Sequence, residues 1–469
     1  MTIFSQLAGD GAVPGARALE QHLRRGIEDG RLAPGERLPP IREAAWKLGC
    51  APGTVARAYR GLVAAGLAHG EVGRGTFIGG GDRKLAFPQA RGQARQPDPA
   101  RDRPLADFSV NGFLMEDAGP LLTRALQQTT AMLAGHSVSL AYRGVEEDGG
   151  EREGAIPFLS RWRERLTPDE IVVTAGAQAA LSAVFLALQQ PGGGIACDAL
   201  TYPGVIGAAA AIRERLLPLR MDEDGMDPDA LDALCRRSSV SCVFLMPAVQ
   251  NPTGRTMPLR RREQLAEVAL RHGVPIVEDQ VYGFLEPDRV PGFSHLAPDT
   301  TVLVTGLSKC VAPVLRVGYV AAPRPLARKV MAVQNALNLM VSPILTQTAV
   351  RVLADPEFEA RLARLRRGLV RRADHVAGAF SDLDRMRLAG GLAWLPVGEN
   401  WTADGFAAEA EAAGIRVSPA RFFAVEQRAA PQSVRLCLAS VAGETHFQTA
   451  IADLAALRGA RPPMAGLAP

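Results

Sequence analysis

The chain has 469 residues, and 53 Lys+Arg against 49 Asp+Glu leave a formal net charge of +4. With 47% hydrophobic and 22% charged residues, the composition excludes collagen-like, mucin-like and wholly disordered classes. No stretch of about 18 apolar residues predicts a membrane span, and the amino end lacks the basic and apolar regions of a secretory signal.

The six cysteines form no CxxC pair and stand in apolar segments, which predicts buried thiols in a reducing cytoplasm and no metal site. Only four of the basic residues are lysines: Lys47, Lys84, Lys309 and Lys329. An arginine cannot serve as an amine nucleophile, so a site that needs one must keep a lysine.

Charge is divided unevenly. Residues 1–105 carry 16 Lys+Arg and 10 Asp+Glu, a net of +6, and the remainder carries −2. A basic module on a near-neutral body is the electrostatic footprint of a nucleic-acid-binding appendage.

Ala16, Leu19, Leu23 and Ile27 recur at helical spacing, which predicts a first helix closed by Gly30. After the turn RLAPGERLPP, a second helix is predicted from Pro40 to Leu48, with Ile41, Ala44, Ala45 and Leu48 on its buried side. A third runs from Pro52 through Val55, Ala58, Tyr59 and Leu62 to Ala65. LAHGEVGRGTFIG then reads as a β-hairpin. Three helices and a hairpin make a winged helix-turn-helix over residues 12–79. Residues 80–105, rich in Gly, Pro, Gln and Arg, read as a linker whose Gly-rich start is flexible and whose Pro-rich end is stiffer.

The segments GRLAPGERLPPIREAAWKLG, TVARAYRGLVAAGL and VGRGTF resemble the DNA-binding domain of the GntR family of bacterial repressors. The resemblance implies that Arg42 contacts phosphate or guanine, and that Thr54 and Arg57 lie on the groove-facing side of the recognition helix. It also implies that Arg74 and Gly75 at the wing tip enter the minor groove. An arginine can pair bidentately with guanine, and a glycine-flanked one can follow a narrow groove closely.

From residue 106 to 469 short apolar runs alternate with helical stretches. IVVTAGAQAALSAVFLAL reads strand, turn, helix, and GIACD, CVFLMP, VPIVED, TVLVTG and VGYVAA read as further buried strands. This predicts an α/β body with a mostly parallel sheet and a smaller C-terminal α+β part over about 350–469. Ligands of such sheets bind at the carboxyl ends of the strands. There the chain places Asn251 in NPTG, Asp279 with Tyr282 three residues on, and Lys309, followed by Arg316.

Together these residues supply what pyridoxal 5'-phosphate requires. Lys309 offers the Schiff-base amine, Asp279 a carboxylate for the pyridine nitrogen, and Tyr282 and Asn251 hydrogen bonds to the phenolate oxygen. Arg316, with the turn Gly176, Ala177, Gln178 opening a helix, suits the phosphate, and Tyr202 can stack on the ring.

This constellation resembles the fold-type I, class I aminotransferases. The resemblance implies a homodimer in which Tyr142 reaches the phosphate of the neighbouring subunit, and an Arg435 that binds the ligand's carboxylate. Relatives usually carry Ser or Thr three residues before the lysine; here Gly306 stands there, Thr305 and Ser308 are the nearby hydroxyls, and weaker phosphate binding is expected. The arginine-rich stretch 361–376 reads as a solvated helix face.

A GntR-type head joined to such a body resembles the MocR subfamily of transcriptional regulators. The implied function is a pyridoxal-phosphate-dependent regulator that binds an operator in double-stranded DNA and senses an amine or amino acid through exchange at Lys309. The alternative is an active aminotransferase carrying a DNA-binding head.

Overall fold

The computed structural model describes residues 15–28, 32, 36–64, 67–71, 75–78, 105–110, 112, 118–135, 141–142, 149–286, 290–380 and 387–460. The chain divides into two compact units, residues 1–86 and 87–469.

The first unit contains helices α1 (Ala16–Glu28), α2 (Ile41–Lys47) and α3 (Pro52–Ala64), followed by strands β1 (Ala68–Glu71) and β2 (Gly75–Ile78). The two strands pair antiparallel, with Ala68 opposite Ile78. Leu19, Leu23, Ala44, Val55, Ala58, Tyr59 and Leu62 form one core, which the i, i+3, i+4 spacing of each helix makes possible. Ile41, expected on the buried side of α2, is 38% exposed, because it opens the helix one turn before the face that meets α3. The segment expected to be a simple turn instead adds an edge to the hairpin: Leu38 N–H donates to the Thr76 carbonyl and Ile78 N–H to that of Glu36. Gly75 has φ +120°, and a Cβ there would stand 2.9 Å from Arg37 Nε, so glycine is required where the hairpin meets this edge.

The second unit is built on a seven-stranded sheet of β3 (Ile171–Thr174), β4 (Ile195–Asp198), β5 (Leu216–Leu219), β6 (Cys242–Leu245), β7 (Ile276–Asp279), β8 (Thr301–Gly306) and β9 (Gly318–Ala321). Its order is β3-β9-β8-β7-β6-β4-β5. Only β9 runs antiparallel, between β8 and β3. The strands are Val- and Ile-rich because helices cover both faces. Edge strand β5 was not expected from the sequence; it contains Pro218, and proline is tolerated in a sheet where no second neighbour needs its missing N–H.

A second sheet joins β10 (Arg387–Ala389), β11 (Leu392–Pro396), β12 (Ser418–Pro419) and β13 (Ser433–Cys437) in the order β10-β11-β13-β12. Its apolar face packs with the Glu357–Ala379, Ala403–Ala412 and Glu444–Gly459 helices around Val376, Leu395, Phe406, Leu436 and Phe447. This core also takes in Ala106 and Phe108, and Ala106–Asp107 pairs in parallel with Ile415–Arg416. The smaller core is therefore not confined to the last third of the chain: the lead-in strand Ala106–Asp107 belongs to it.

Two further expectations change. The 361–376 stretch is not simply a solvated face, since Arg361 and Arg372 are 2% and 3% exposed. Arg361 donates to the Val311 carbonyl at 3.0 Å. Arg372 donates to the Leu438 and Val441 carbonyls and to Glu444, and lies over the Phe447 ring. Burial of an arginine demands such partners, and helical periodicity shows only where a side chain points, not what meets it. Of the cysteines, Cys197, Cys242, Cys310 and Cys437 are buried, but Cys50 and Cys235 are only half-buried; all six are free.

Candidate functional site

The parallel strands deliver their polar residues to one edge of the main sheet. Asp279 is the last residue of β7 and Lys309 follows β8, while Asn251 follows β6. The register pairs Asp279 with Val304, so the two chain segments leave the sheet side by side. Asn251, Asp279 and Tyr282 are each 1% exposed, and Lys309 and Ser308 are half-buried.

Burial holds the Lys309 amine well below an ordinary lysine, at about 8; Arg435 and Arg316 push the same way, and Cys437 and Asp279 oppose them. Burial also raises the Asp279 carboxyl to about 7, against the Val281 N–H and the charge of Lys309. The Val281 N–H donates to Asp279 Oδ1 at 2.9 Å. Tyr202 is lifted to about 12, first by burial and then by Asp279, with Arg316 and Arg435 opposing. These mutual influences put Tyr202, Asp279, Lys309, Arg316 and Arg435 within electrostatic reach of one another. A lysine and a carboxyl shifted towards neutrality by a shared burial mark a candidate site.

The helix Ala177–Leu188 starts beside them. Its N-cap, Gly176, has φ 88° and provides no capping side chain, which leaves the first-turn N–H groups of Ala177 and Gln178 without a side-chain acceptor. Arg316 donates to the Ala175 carbonyl at 3.1 Å, and a Cβ on Gly176 would stand 2.8 Å from its guanidinium. Gly318 and Gly306 keep the other wall low: a Cβ would stand 2.7 Å and 3.5 Å, respectively, from Ala177 N. An uncapped helix start, an adjacent arginine and a cradle that side chains would fill suit a phosphate group. Gln178 donates to the Gly204 carbonyl at 2.8 Å, and its buried Oε1 has no partner among the described residues.

Arg435 comes from β13 in the smaller core. It is 3% exposed and, among the described residues, pairs with no carboxylate. Its N–H groups donate to Asn251 Oδ1 at 3.2 Å, to the Ser109 carbonyl and to Ser418 Oγ at 3.4 Å, and its Nε has no partner among the described residues. Phe423 lies 4.9 Å below the guanidinium carbon. Because Oδ1 of Asn251 faces Arg435, the amide's N–H groups are turned to the other side; the orientation is assigned from this hydrogen bond.

The sequence did not single out Asp198 and Gln250. Gln250 donates to Asp198 Oδ2 at 3.2 Å and to the Leu200 carbonyl at 2.6 Å, tying the Asn251 turn to the segment that bears Tyr202. Burial lifts the Asp198 carboxyl to about 7. Its signal was the polar end of GIACD, a strand-end carboxylate like Asp279. Tyr142 is 81% exposed and stands apart from these contacts.

In the first unit, Arg42 on α2, Arg57 on α3 and Gly75 at the start of β2 are exposed, and Thr54 is half-buried. Arg74 lies outside the described residues. Among the described residues no helix is long and apolar enough to cross a membrane.

Comparison with known proteins agrees with both units. Residues 150–448 match the aminotransferase class I and II family, and residues 16–78 match the bacterial regulatory proteins of the gntR family. The HTH-type transcriptional regulator YdeF of Bacillus subtilis is 26% identical over 90% of this chain and 89% of its own. The HTH-type pyridoxine biosynthesis transcriptional regulator PdxR of Corynebacterium glutamicum is 27% identical over 79% of this chain and 80% of its own. In fold, the body resembles the α-aminoadipate aminotransferase LysN of Thermus thermophilus, with a TM-score of 0.67 at 23% identity, over 76% of this chain and 92% of that one. The chain belongs to the aminotransferase class I and II family and, with its gntR-family DNA-binding region, to the MocR-type transcriptional regulators within it.

Proposed function

We propose that this regulator holds pyridoxal 5'-phosphate at Lys309 and uses it to sense a primary amine that carries an anionic group. The observation that carries the reading is the convergence of Lys309, Asp279, Asn251, Tyr282 and the Gly176–Arg316 cradle at one edge of the sheet. When bound, the cofactor supplies an electrophilic carbon to which an amine attaches reversibly.

The protein's groups divide the remaining work. Lys309, at about 8, is roughly one-tenth neutral at pH 7, whereas an ordinary lysine is neutral in only about one molecule in several thousand. It is therefore available as a nucleophile and can take its proton back when an amine replaces it. Asp279 holds a proton on the ring nitrogen. Asn251, its amide oriented by Arg435, donates from Nδ2 to the phenolate oxygen, and Tyr282 donates beside it. Tyr202 covers the ring. Arg316, Ser308 and the Gly176–Gln178 helix start hold the phosphate. Arg435 takes the effector's carboxylate, and Arg42, Thr54, Arg57, Arg74 and Gly75 meet operator DNA, of which Arg42, Arg57 and Gly75 are exposed. The resemblance to aminotransferases favours a homodimer, with Tyr142 serving the partner's phosphate.

An effector can switch DNA binding only if its affinity differs between two states of the protein. The test is a spectral titration of the cofactor-loaded protein with amines, with and without the DNA upstream of its own gene. Amine-dependent changes in the visible band and in DNA affinity are expected. A second reading, an active aminotransferase, has support in 30% identity to the 2-aminoadipate transaminase of Thermus thermophilus over 54% of this chain and 67% of its own. Sustained multiple-turnover transamination without any DNA footprint would favour that reading and overturn ours.

A further inference from the structure

Arg435 and the lead-in strand are joined in a way that the effector site alone does not require. Residues 105–109 are the first described stretch after the linker, and they are built into the smaller core. Phe108 is fully buried; its N–H donates to the Arg416 carbonyl, and its carbonyl accepts from Cys437 N–H at 2.9 Å. Asp107 Oδ1 accepts from Ser109 N at 2.9 Å and Ser109 Oγ at 2.6 Å, and Oδ2 from Arg416 at 3.1 Å. Ser440 Oγ donates to the Asp107 carbonyl at 2.6 Å. The Ser109 carbonyl accepts from Arg435, the residue that the proposed function assigns to the effector's carboxylate.

We propose that effector capture is passed to the DNA-binding region through this strand. The inference rests on the assignment of Arg435 made above. The acceptors that Arg435 now serves, Asn251, Ser109 and Ser418, are all neutral. A carboxylate forms stronger, charge-assisted bonds and favours bidentate geometry, so its arrival takes guanidinium N–H groups away from neutral partners. Release of the Ser109 carbonyl changes the hold on the chain at the point where it leaves the linker. Among the described residues, the strand's bonds to Gly414, Arg416, Cys437 and Ser440 go to elements of the smaller core, so any shift of that core on ligand capture carries the linker's end with it.

The test uses full-length, cofactor-loaded protein, with L-alanine and L-2-aminoadipate as probes and ethylamine as the amine without a carboxylate. Three readouts are taken: the visible band, hydrogen exchange of peptides spanning residues 105–112, and affinity for the DNA upstream of its own gene. In the wild type the amino acids are expected to shift the band, speed exchange at 105–112 and change DNA affinity by about 5-fold or more; ethylamine is expected to shift the band alone.

Asp107→Ala, which loosens the strand without altering any side chain assigned to the site, is expected to keep the band titration while the DNA response falls below about twofold. Ser440→Ala, removing the hydroxyl that donates to the Asp107 and Cys437 carbonyls, is the second variant should Asp107→Ala fold poorly. An amino-acid band shift with unchanged exchange at 105–112, or a full DNA response in the Asp107→Ala protein, overturns the relay and leaves the effector site standing. No band shift with either amino acid overturns the assignment of the site itself, and the relay with it.

Discussion

Arginine serves opposite ends in the two units. On the first, Arg42 and Arg57 are exposed at helix surfaces, where long side chains keep their hydration and reach. In the second, Arg435, Arg361 and Arg372 are almost wholly buried and are held by carbonyl, amide, hydroxyl or carboxylate oxygens. An exposed cation contributes field and contacts that adapt to a polyanion, and its effect is screened by salt. A buried cation has lost its water, so its geometry is set by its neighbours and it can distinguish one small anion from another. Under the proposed function, the same residue type reads a long polymer at one end of the chain and a single carboxylate at the other.

The strongest way to break this division is at the one residue arginine cannot replace. Lys309→Ala should abolish the visible cofactor band completely, and Lys309→Arg should do the same while retaining the charge. Affinity of the first unit for DNA of arbitrary sequence, measured by fluorescence anisotropy, should persist in both. Next in size, Asp279→Asn removes the charge proposed to face the ring nitrogen. Charge-assisted hydrogen bonds contribute about 1.5–3 kcal/mol, so cofactor affinity in equilibrium dialysis should fall by about 10- to 100-fold.

Arg435→Gln should weaken amines that carry a carboxylate by about 10-fold or more, on the same magnitudes, and leave ethylamine unaffected. Equal losses for both would show that Arg435 does not meet the carboxylate. For the exposed class the sharper measurement is salt dependence: if Arg57 meets phosphate, Arg57→Ala should reduce the slope of log affinity against log salt by about 1. If it reads a base edge, the slope should stay and sequence preference relax.

The smallest effect concerns pH. The folded-state pKa of Lys309 is depressed to about 8, so the neutral amine appears as pH rises through that value. The rate of pyridoxal phosphate uptake by the apo-protein should therefore climb with a midpoint near 8. A midpoint at the ordinary lysine value would show that the amine is not desolvated as described.

Much of the site was legible because strand ends announce themselves. Asn251, Asp279 and Lys309 each follow a run of apolar, β-branched residues, and parallel strands must all present their carboxyl ends at one edge. The helix start at Gly176 was legible for the same reason. Asp198, also at a strand end, was passed over because its partner Gln250 is distant in sequence and neither residue is distinctive alone. The expected solvated face at 361–376 failed because a run of arginines looks alike whether it meets water or the carbonyls of Val311, Leu438 and Val441. Pairing through space leaves no local pattern, and polar residues enter a core only where such partners wait.

The sequence by itself determined two modules of different charge, the chain order of six of the seven described main-sheet strands, and a lysine that chemistry requires amid arginines. Those properties follow from local periodicity, turn residues and side-chain type. The tertiary structure alone decided that the lead-in strand at Ala106–Asp107 lies beside Ile415–Arg416 and that the Ser109 carbonyl meets Arg435. These contacts join residues more than three hundred positions apart. No local propensity encodes such a meeting; it arises because burying Phe108 in the smaller core outweighs the loss of freedom in bringing the two ends of the second unit together.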